Sequence, residues 1–118
     1  MPKVLVVDDA QFLRVRLTRM LTEHGYDIVE AENGDRAIAQ YEVNAPDAVL
    51  LDITMPEKDG LEVLREIRGK HPDARVVMLT ALGQQSIVLE AIKAGARDFI
   101  VKPFEQERVL SALQKALA

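Results

Sequence analysis

The stretch from Asp47 to Gly60 constrains this chain most strongly, because an unbroken apolar run in it stops abruptly at an acidic residue. Residues 48–51 read Ala-Val-Leu-Leu, and Asp52 follows directly. A short apolar run bounded by turn residues is typical of a strand buried on both faces of a sheet. A buried carboxylate is costly unless it lies at a rim and has partners. We therefore predict that Asp52 ends a central strand at the lip of a crevice, although a lone Asp there more often caps the next turn.

Short apolar runs elsewhere predict further strands, and apolar residues at helical spacing follow each of them. The predicted strands cover residues 4–7, 26–31, 48–52, 75–80 and 98–101. The predicted helices lie around residues 13–21, 37–41, 61–68, 84–94 and 105–117. Because strand and helix alternate with short connections, we predict a doubly wound α/β fold with helices on both faces of a parallel sheet. No linker divides the chain, so residues 1–118 are expected to form one domain.

Composition agrees with this fold and argues against several functions. Hydrophobic residues make up 48% of the chain and aromatic residues only 4%, so the core must be aliphatic, which suits helices packed on a parallel sheet. The formal net charge of −4 argues against nonspecific binding to nucleic acid or to a membrane. The chain has no cysteine, no signal peptide and no apolar run of membrane-spanning length. We therefore expect a soluble, cytoplasmic protein.

Polar residues that could bind a ligand or take part in a reaction lie at the ends of the predicted strands. They are Asp8 and Asp9 after the first strand, Asp52 after the third, Thr80 after the fourth and Lys102 after the fifth. In open parallel sheets, ligands bind outside the carboxyl ends of the strands. Each residue alone has an ordinary explanation as a helix cap, a turn residue or a solvated charge. Their joint placement at one edge instead predicts a single polar crevice.

The charges in this crevice predict a metal ion. Three carboxylates repel one another, and one lysine does not balance them. Carboxylates, waters and backbone carbonyls are the ligands that Mg²⁺ prefers. A carboxylate, a lysine, a hydroxyl and Mg²⁺ around one point are what a phosphoryl group requires, so the sequence indicates phosphoryl transfer or phosphoryl binding.

Asp52 is the best candidate for the nucleophile of such a reaction. The chain lacks the glycine-rich loops of nucleotide-binding proteins, and it has neither a cysteine nor a serine in a G-x-S-x-G setting. His24 and His71 lie near predicted helix ends and are expected on the surface. The carboxylate of Asp52 remains, and its attack on phosphorus would form an acyl phosphate.

These residues resemble the receiver domain of bacterial response regulators. The Asp8-Asp9 pair, Asp52, Thr80 and the Lys102-Pro103 step all match that family, and the resemblance covers the chain from end to end. The segments DDAQFLR, LDITMP and TALGQQSIVLEAIKAGARDFIVKPF are most similar to stand-alone chemotaxis regulators of the CheY type. The resemblance implies a flavodoxin-like sheet with the strand order 2-1-3-4-5.

The resemblance also implies how the crevice holds a metal and a phosphoryl group. Asp52 is expected to accept the phosphoryl group from a phosphohistidine of a sensor histidine kinase. Asp9 and Asp52 would ligate Mg²⁺, with Mn²⁺ as a substitute, while Asp8 would act mostly through water. The backbone carbonyl of Thr54 would complete the protein ligands. Lys102 would contact the phosphoryl oxygens, and its peptide bond to Pro103 is expected to be cis.

Two further pairs of residues receive roles from the resemblance. Thr80 and Phe99 are expected to form the switch, in which the hydroxyl of Thr80 moves onto the phosphoryl group and Phe99 follows from an exposed to a buried rotamer. Many chemotaxis regulators have Tyr where this chain has Phe99, so a readout that needs the Tyr hydroxyl is absent here. Thr54 and Leu82 occupy positions that tune the attack of water on the acyl phosphate.

Two helices carry apolar residues away from their main stripe. On the first helix, Phe12 and Val15 predict a contact with a neighbouring helix. On the helix of residues 84–94, one broad arc carries Ile87, Val88, Ala91, Ile92 and Ala94. Leu89 lies away from that arc, so we predict a partner face of Leu89, Lys93 and Phe99 on the fourth helix, fifth strand and fifth helix, as the resemblance implies.

The resulting hypothesis is a monomeric, phosphorylation-activated switch that binds the flagellar motor switch protein and catalyses only its own phosphorylation and dephosphorylation. A phosphorelay intermediate or another single-domain regulator is the alternative. A haloacid dehalogenase-like hydrolase is disfavoured because its motif needs a second Asp where this chain has Thr54. An electron carrier is disfavoured because Asp8 and Asp9 would repel the phosphate of FMN, and a binding-only receiver because every reactive position is filled.

Overall fold

Five strands alternate with five helices in the computed structural model, which describes residues 1–118. The strands are β1 (Lys3–Val7), β2 (Asp27–Ala31), β3 (Ala48–Asp52), β4 (Val76–Thr80) and β5 (Asp98–Val101). The helices are α1 (Gln11–Glu23), α2 (Gly34–Asn44), α3 (Gly60–Lys70), α4 (Gln85–Lys93) and α5 (Gln106–Leu117). None of these helices has the length and apolar character needed to span a membrane. The alternation confirms the predicted α/β class.

All strand pairs in the sheet are parallel, and the strand order is β2-β1-β3-β4-β5. This is the doubly wound order that the resemblance implies. Every residue of β3 and of β4 is buried, whereas the edge strands β2 and β5 each have only one buried residue. The continuous apolar runs therefore mark strands covered on both faces, as expected for the centre of a parallel sheet.

The core consists of two apolar layers, one on each face of the sheet. Successive side chains of a strand point to opposite faces, so Leu5 and Val7 enter one layer and Val4 and Val6 the other. Buried residues of α2, α3 and α4 cover the first layer, and those of α1 and α5 cover the second. The sheet is thus held rigidly between helices, which positions the ends of its strands.

The first helix differs from the prediction in one respect. Phe12 and Val15 were expected to contact a neighbouring helix, but the structure leaves Phe12 71% and Val15 43% exposed. Leu17 and Leu21 are the fully buried residues of α1, and Met20 packs beside them as a partly buried residue. Phe12 and Val15 lie on the outer side of α1, where they line an open groove with Phe104 and with Gln106 of α5.

Candidate active-site crevice

The register of the sheet brings the predicted site residues to one edge. Val7 pairs with Leu51, so the next residues along β1 and β3 leave the sheet side by side. These residues are Asp8 and Asp52. On the other side of β3, Thr80 ends β4 opposite Val101, and Lys102 follows β5 directly. The carboxyl ends of four parallel strands therefore meet in one crevice, as the sequence predicted.

Asp8, Asp9 and Asp52 form an acidic cluster in this crevice. A carboxylate oxygen from each lies within 4.8 Å of those from the other two. Asp8 and Asp52 are buried, whereas Asp9 is exposed at the mouth. An oxygen-only donor set of this kind fits a hard divalent cation such as Mg²⁺ and does not fit a soft metal. The structure thus supports the cluster as a candidate magnesium site.

The pKa of Asp52 shows that negative charge is concentrated in this crevice. Burial, together with the nearby charge of Asp8, raises the pKa of Asp52 to about 6 from an ordinary value of 3.8. The ammonium of Lys102 and the backbone N–H of Thr54, which donates to Asp52 Oδ1 at 3.3 Å, act in the opposite direction but do not cancel the rise. A cation bound at the cluster would relieve this charge.

Lys102 connects the two buried carboxylates. Its Nζ lies 3.1 Å from Asp8 Oδ2 and 3.2 Å from Asp52 Oδ1. Burial alone would lower the pKa of Lys102, but the charges of Asp52 and Asp8 raise it above the ordinary value, so the ammonium stays protonated. The peptide bond from Lys102 to Pro103 is cis, in agreement with the expectation.

Arg14 holds Asp8 in place through a contact that the sequence pattern does not predict. Its guanidinium donates a hydrogen bond to the backbone carbonyl of Asp8 at 2.7 Å and pairs with Glu30 at 3.3 Å. The Asp8 side chain also accepts a hydrogen bond from the backbone N–H of Ala10 at 2.9 Å. Arg14 thus holds the backbone of Asp8, and the N–H of Ala10 holds its carboxylate.

The loop after Asp52 folds back onto the strand that it leaves. The N–H of Gly60 donates to the carbonyl of Ile53 at 2.8 Å. A methyl group at Gly60 would overlap the backbone carbonyl of Asp52, so the close approach requires glycine. The Asp59 side chain then caps α3 by accepting from the N–H of Glu62 at 3.0 Å. This side of the crevice is thus tightly fixed.

The loop after Thr80 contains a network of hydrogen bonds that the sequence pattern does not predict. The Thr80 hydroxyl, in a residue only 2% exposed, donates to Gln84 Oε1 at 2.9 Å. Gln84 Nε2 donates to Thr54 Oγ1 at 2.7 Å, which joins the loops that follow β3 and β4. Leu82, one of the two predicted tuning residues, is 80% exposed in this loop. The only sequence signal for Gln84 is its place four residues after Thr80.

The predicted partner face is only partly assembled as expected. Leu89 and Phe99 line one open groove of about 340 Å³, which extends to Thr80, and they are 63% and 37% exposed. Lys93 is exposed on α4 but does not line this groove. Ile92 shares the predicted apolar arc with Ala91, yet it is 42% exposed and also lines the groove. Within that arc Ala91 is fully buried, and Ile87, Val88 and Ala94 are partly buried against the core.

Both histidines take part in contacts away from the acidic cluster. His24 bonds through Nδ1 to the carbonyl of Met20 at 2.9 Å, and His71 lies 2.8 Å from Glu42. His71 also contacts the ring of Tyr41, with ring centroids 4.9 Å apart. Neither imidazole contacts the crevice residues, so the carboxylates remain the candidates for the nucleophile.

Comparison with known proteins adds independent findings. The family described as the response regulator receiver domain matches residues 4–114. The chemotaxis protein CheY of Listeria monocytogenes is 53% identical over 117 residues, which are 98% of this chain and 98% of that protein. CheY of Bacillus subtilis is 50% identical over 116 residues, 98% of this chain and 97% of that protein. A chain of the CheX–CheY–BeF3–Mg²⁺ complex from Borrelia burgdorferi has a TM-score of 0.92 at 37% identity, covering 98% of this chain and 89% of that chain.

Proposed function

The chain belongs to the family of response regulator receiver domains, and we propose that Asp52 is the residue at which it is phosphorylated. Its similarity to CheY proteins over almost its whole length supports a chemotaxis response regulator, which has a histidine kinase upstream and a protein target downstream. The observation that carries the proposal is the position of Asp52, buried at a strand end with Lys102 Nζ 3.2 Å from its Oδ1.

The chemistry follows from the charges around Asp52. A carboxylate oxygen attacks the phosphorus of a phosphohistidine, the P–N bond breaks, and the imidazole leaves with its electron pair. The product is an acyl phosphate on Asp52. The ammonium of Lys102, which already contacts the two buried carboxylates, then contacts the phosphoryl oxygens. The raised pKa of Asp52 matters here, because the carboxylate attacks only in its ionised form.

The acidic cluster fits a divalent cation, and we assign it to Mg²⁺ or, as a substitute, Mn²⁺. Asp9 and Asp52 would hold the ion directly, Asp8 through water, and the carbonyl of Thr54 would supply a further ligand. The bound ion would offset the negative charge of the phosphoryl oxygens. The CheX–CheY complex from Borrelia burgdorferi contains BeF3 and Mg²⁺, which supports the same pairing of ligands for this chain.

Phosphorylation would act on the partner face through Thr80 and Phe99. The added group brings negative charge and acceptor oxygens, and it shifts an equilibrium only through contacts that differ between the two states. The Thr80 hydroxyl supplies such a contact, and the groove that it shares with Leu89 and Phe99 offers a route to the surface. Lys93 would add a charge to that face. Thr54 and Leu82 would tune the lifetime of the acyl phosphate.

The proposed partners are a sensor histidine kinase and the flagellar motor switch protein. The CheY relatives favour this target over a phosphorelay intermediate or another single-domain regulator. On this proposal, residues 1–118 act as one monomeric domain in the cytoplasm, without contact to nucleic acid or membrane. The protein would turn over no external substrate and would catalyse only its own phosphorylation and dephosphorylation.

The first test is the intact mass after incubation with acetyl phosphate. We expect the wild type to gain one phosphoryl group when Mg²⁺ is present and none when Mg²⁺ is removed by EDTA. Asp52→Asn should gain none, whereas Asp73→Asn, which alters an exposed carboxylate outside the crevice, should behave as wild type. Gain that persists in Asp52→Asn would place the phosphoacceptor elsewhere. Absence of gain in wild type that binds Mg²⁺ would favour a binding-only receiver.

A further inference from the structure

Gln84 links the two loops of the crevice through its carboxamide. Oε1 accepts hydrogen bonds from the Thr80 hydroxyl at 2.9 Å and from the backbone N–H of Ala81 at 2.7 Å. Nε2 donates to Thr54 Oγ1 at 2.7 Å. We propose that Gln84 is a positioning residue, which holds the Thr80 hydroxyl away from Asp52 until a phosphoryl group competes for its proton. This inference rests on the proposed function and adds a restraint that no contact of Asp52 or Lys102 supplies.

The orientation of the carboxamide follows from its partners. The backbone N–H of Ala81 can only donate, so the atom of Gln84 that faces it must be the oxygen. Since that oxygen is an acceptor, the Thr80 hydroxyl must be the donor in their contact. A hydroxyl has one proton, and the other acceptor near it, the carbonyl of Ala81, lies farther away at 3.2 Å. The Thr80 hydroxyl therefore donates its one proton to Gln84 Oε1.

A phosphoryl group on Asp52 needs that same proton. Its oxygens carry about −1.5 to −2 charges near neutral pH and accept hydrogen bonds. Thr80 cannot donate to them while it donates to Gln84. Phosphorylation must therefore break the contact between Thr80 and Gln84, and Gln84 stabilises the unphosphorylated arrangement relative to the phosphorylated one.

Breaking the hydrogen bond between Thr80 and Gln84 would affect both sides of the crevice. On one side, Thr54 loses a donor, and its own N–H is the one that contacts Asp52 Oδ1 at 3.3 Å. On the other side, Gln84 directly precedes α4, which has no side-chain cap and only one fully buried residue. Gln84 lines the same groove as Leu89 and Phe99. Loss of the Thr80–Gln84 hydrogen bond would therefore change the shape of this groove.

The test measures the affinity of the protein for beryllofluoride, a phosphoryl analogue, in saturating Mg²⁺ by titration calorimetry. Gln84→Ala removes the competitor, so we expect binding to tighten by about two- to tenfold, the range for one net hydrogen bond. Gln85→Ala is the matched control, because Gln85 is an exposed neighbour without a hydrogen bond to the crevice. Its affinity should equal that of wild type.

Two further variants separate a restraint on Thr80 from a general loosening of the loop. Gln84→Glu keeps the acceptor for Thr80 and loses the donor to Thr54, so it should not bind beryllofluoride more tightly than wild type. In a Thr80→Val background there is no proton to compete for, so Gln84→Ala should leave the affinity unchanged.

Three results would overturn the inference. Unchanged or weaker binding by Gln84→Ala would show that Gln84 does not compete for Thr80. An equal gain in the Thr80→Val background, or in Gln84→Glu, would show that the effect does not pass through the Thr80 proton. A wild type that binds Mg²⁺ but no beryllofluoride would overturn the proposed function and this inference with it, whereas binding without a Gln84 effect overturns only the inference.

Discussion

The two helices that leave the crevice, α3 after Asp52 and α4 after Thr80, are attached to the protein in opposite ways. α3 buries five residues and has a side-chain cap from Asp59, an acidic residue in its first turn and basic residues in its last. α4 buries one residue, has no side-chain cap and has no acid in its first turn. Capping and helix-end charges each stabilise a helix by about 0.3 to 2 kcal/mol, and core burial by more.

This difference indicates a division of labour around one crevice. The α3 side is held by the core and fixes the carboxylate that we propose as the phosphoacceptor. The α4 side has few buried apolar contacts, which is the property of segments that open or shift at low free-energy cost. A switch needs both, because a reacting group must stay in place while a responding surface moves. Three sets of variants test this difference between the α3 and α4 sides.

The largest effect should come from equal truncations on the two helices. Leu64→Ala on α3, where the side chain is fully buried, should lower the free energy of unfolding by about 3 to 5 kcal/mol because it leaves a cavity. Leu89→Ala on α4, where the side chain is 63% exposed, should change it by less than about 0.5 kcal/mol. Urea unfolding monitored by circular dichroism measures both.

The same pair also tests the partner face. Leu89→Ala should weaken binding to the proposed target, the motor switch protein, although it leaves stability almost unchanged. A loss of several kcal/mol in stability for Leu89→Ala would show that α4 is fixed as firmly as α3. Unchanged affinity for the target would remove Leu89 from the proposed partner face.

A smaller effect should come from the charge of Asp52, which ends β3 before the loop to α3. With Mg²⁺ absent, the pKa of Asp52 is about 6 in the folded protein, against an ordinary 3.8, so the folded state binds more protons between these values. The contribution of Asp52 to wild-type stability should therefore fall as pH rises from about 4 to 6, by about 2 to 3 kcal/mol in total, and then level off.

Asp52→Asn removes this titration and isolates it from that of other groups. The variant should be more stable than wild type by about 2 to 3 kcal/mol at about pH 7.5, and by much less at about pH 4.5. Paired urea titrations at the two pH values give the difference directly. A stability difference that does not depend on pH would mean that Asp52 is not strained by burial and by Asp8.

The smallest effect should come from the helix starts. Asp59→Ala removes the cap on α3 and should lower stability by about 1 kcal/mol. Ser86→Ala in the first turn of α4, an exposed position, should change stability by less than about 0.5 kcal/mol. Thermal unfolding of the two variants side by side provides the measurement. Equal losses would mean that the start of α4 is as well anchored as that of α3.

Much of this architecture was predictable because its signals are local. Each central strand is a continuous apolar run, and each run stops at the residue that later lines the crevice, as at Asp52 and Thr80. Periodicity also located the helices, although α2 begins at Gly34, with Asn33 as its cap, rather than at Ala37. Errors arose where neighbours decide exposure, as for Phe12 and Ile92.

Residues close together in the chain are enough to predict the alternation of strands and helices, the burial of the central strands on both faces, and the polar residues at the strand ends. Tertiary structure alone decided the contacts of Gln84 with Thr54 and of Arg14 with Glu30, since side chains 30 and 16 residues apart meet only after the sheet has formed. The raised pKa of Asp52 belongs to the same class, because burial and the nearness of Asp8 arise only from packing.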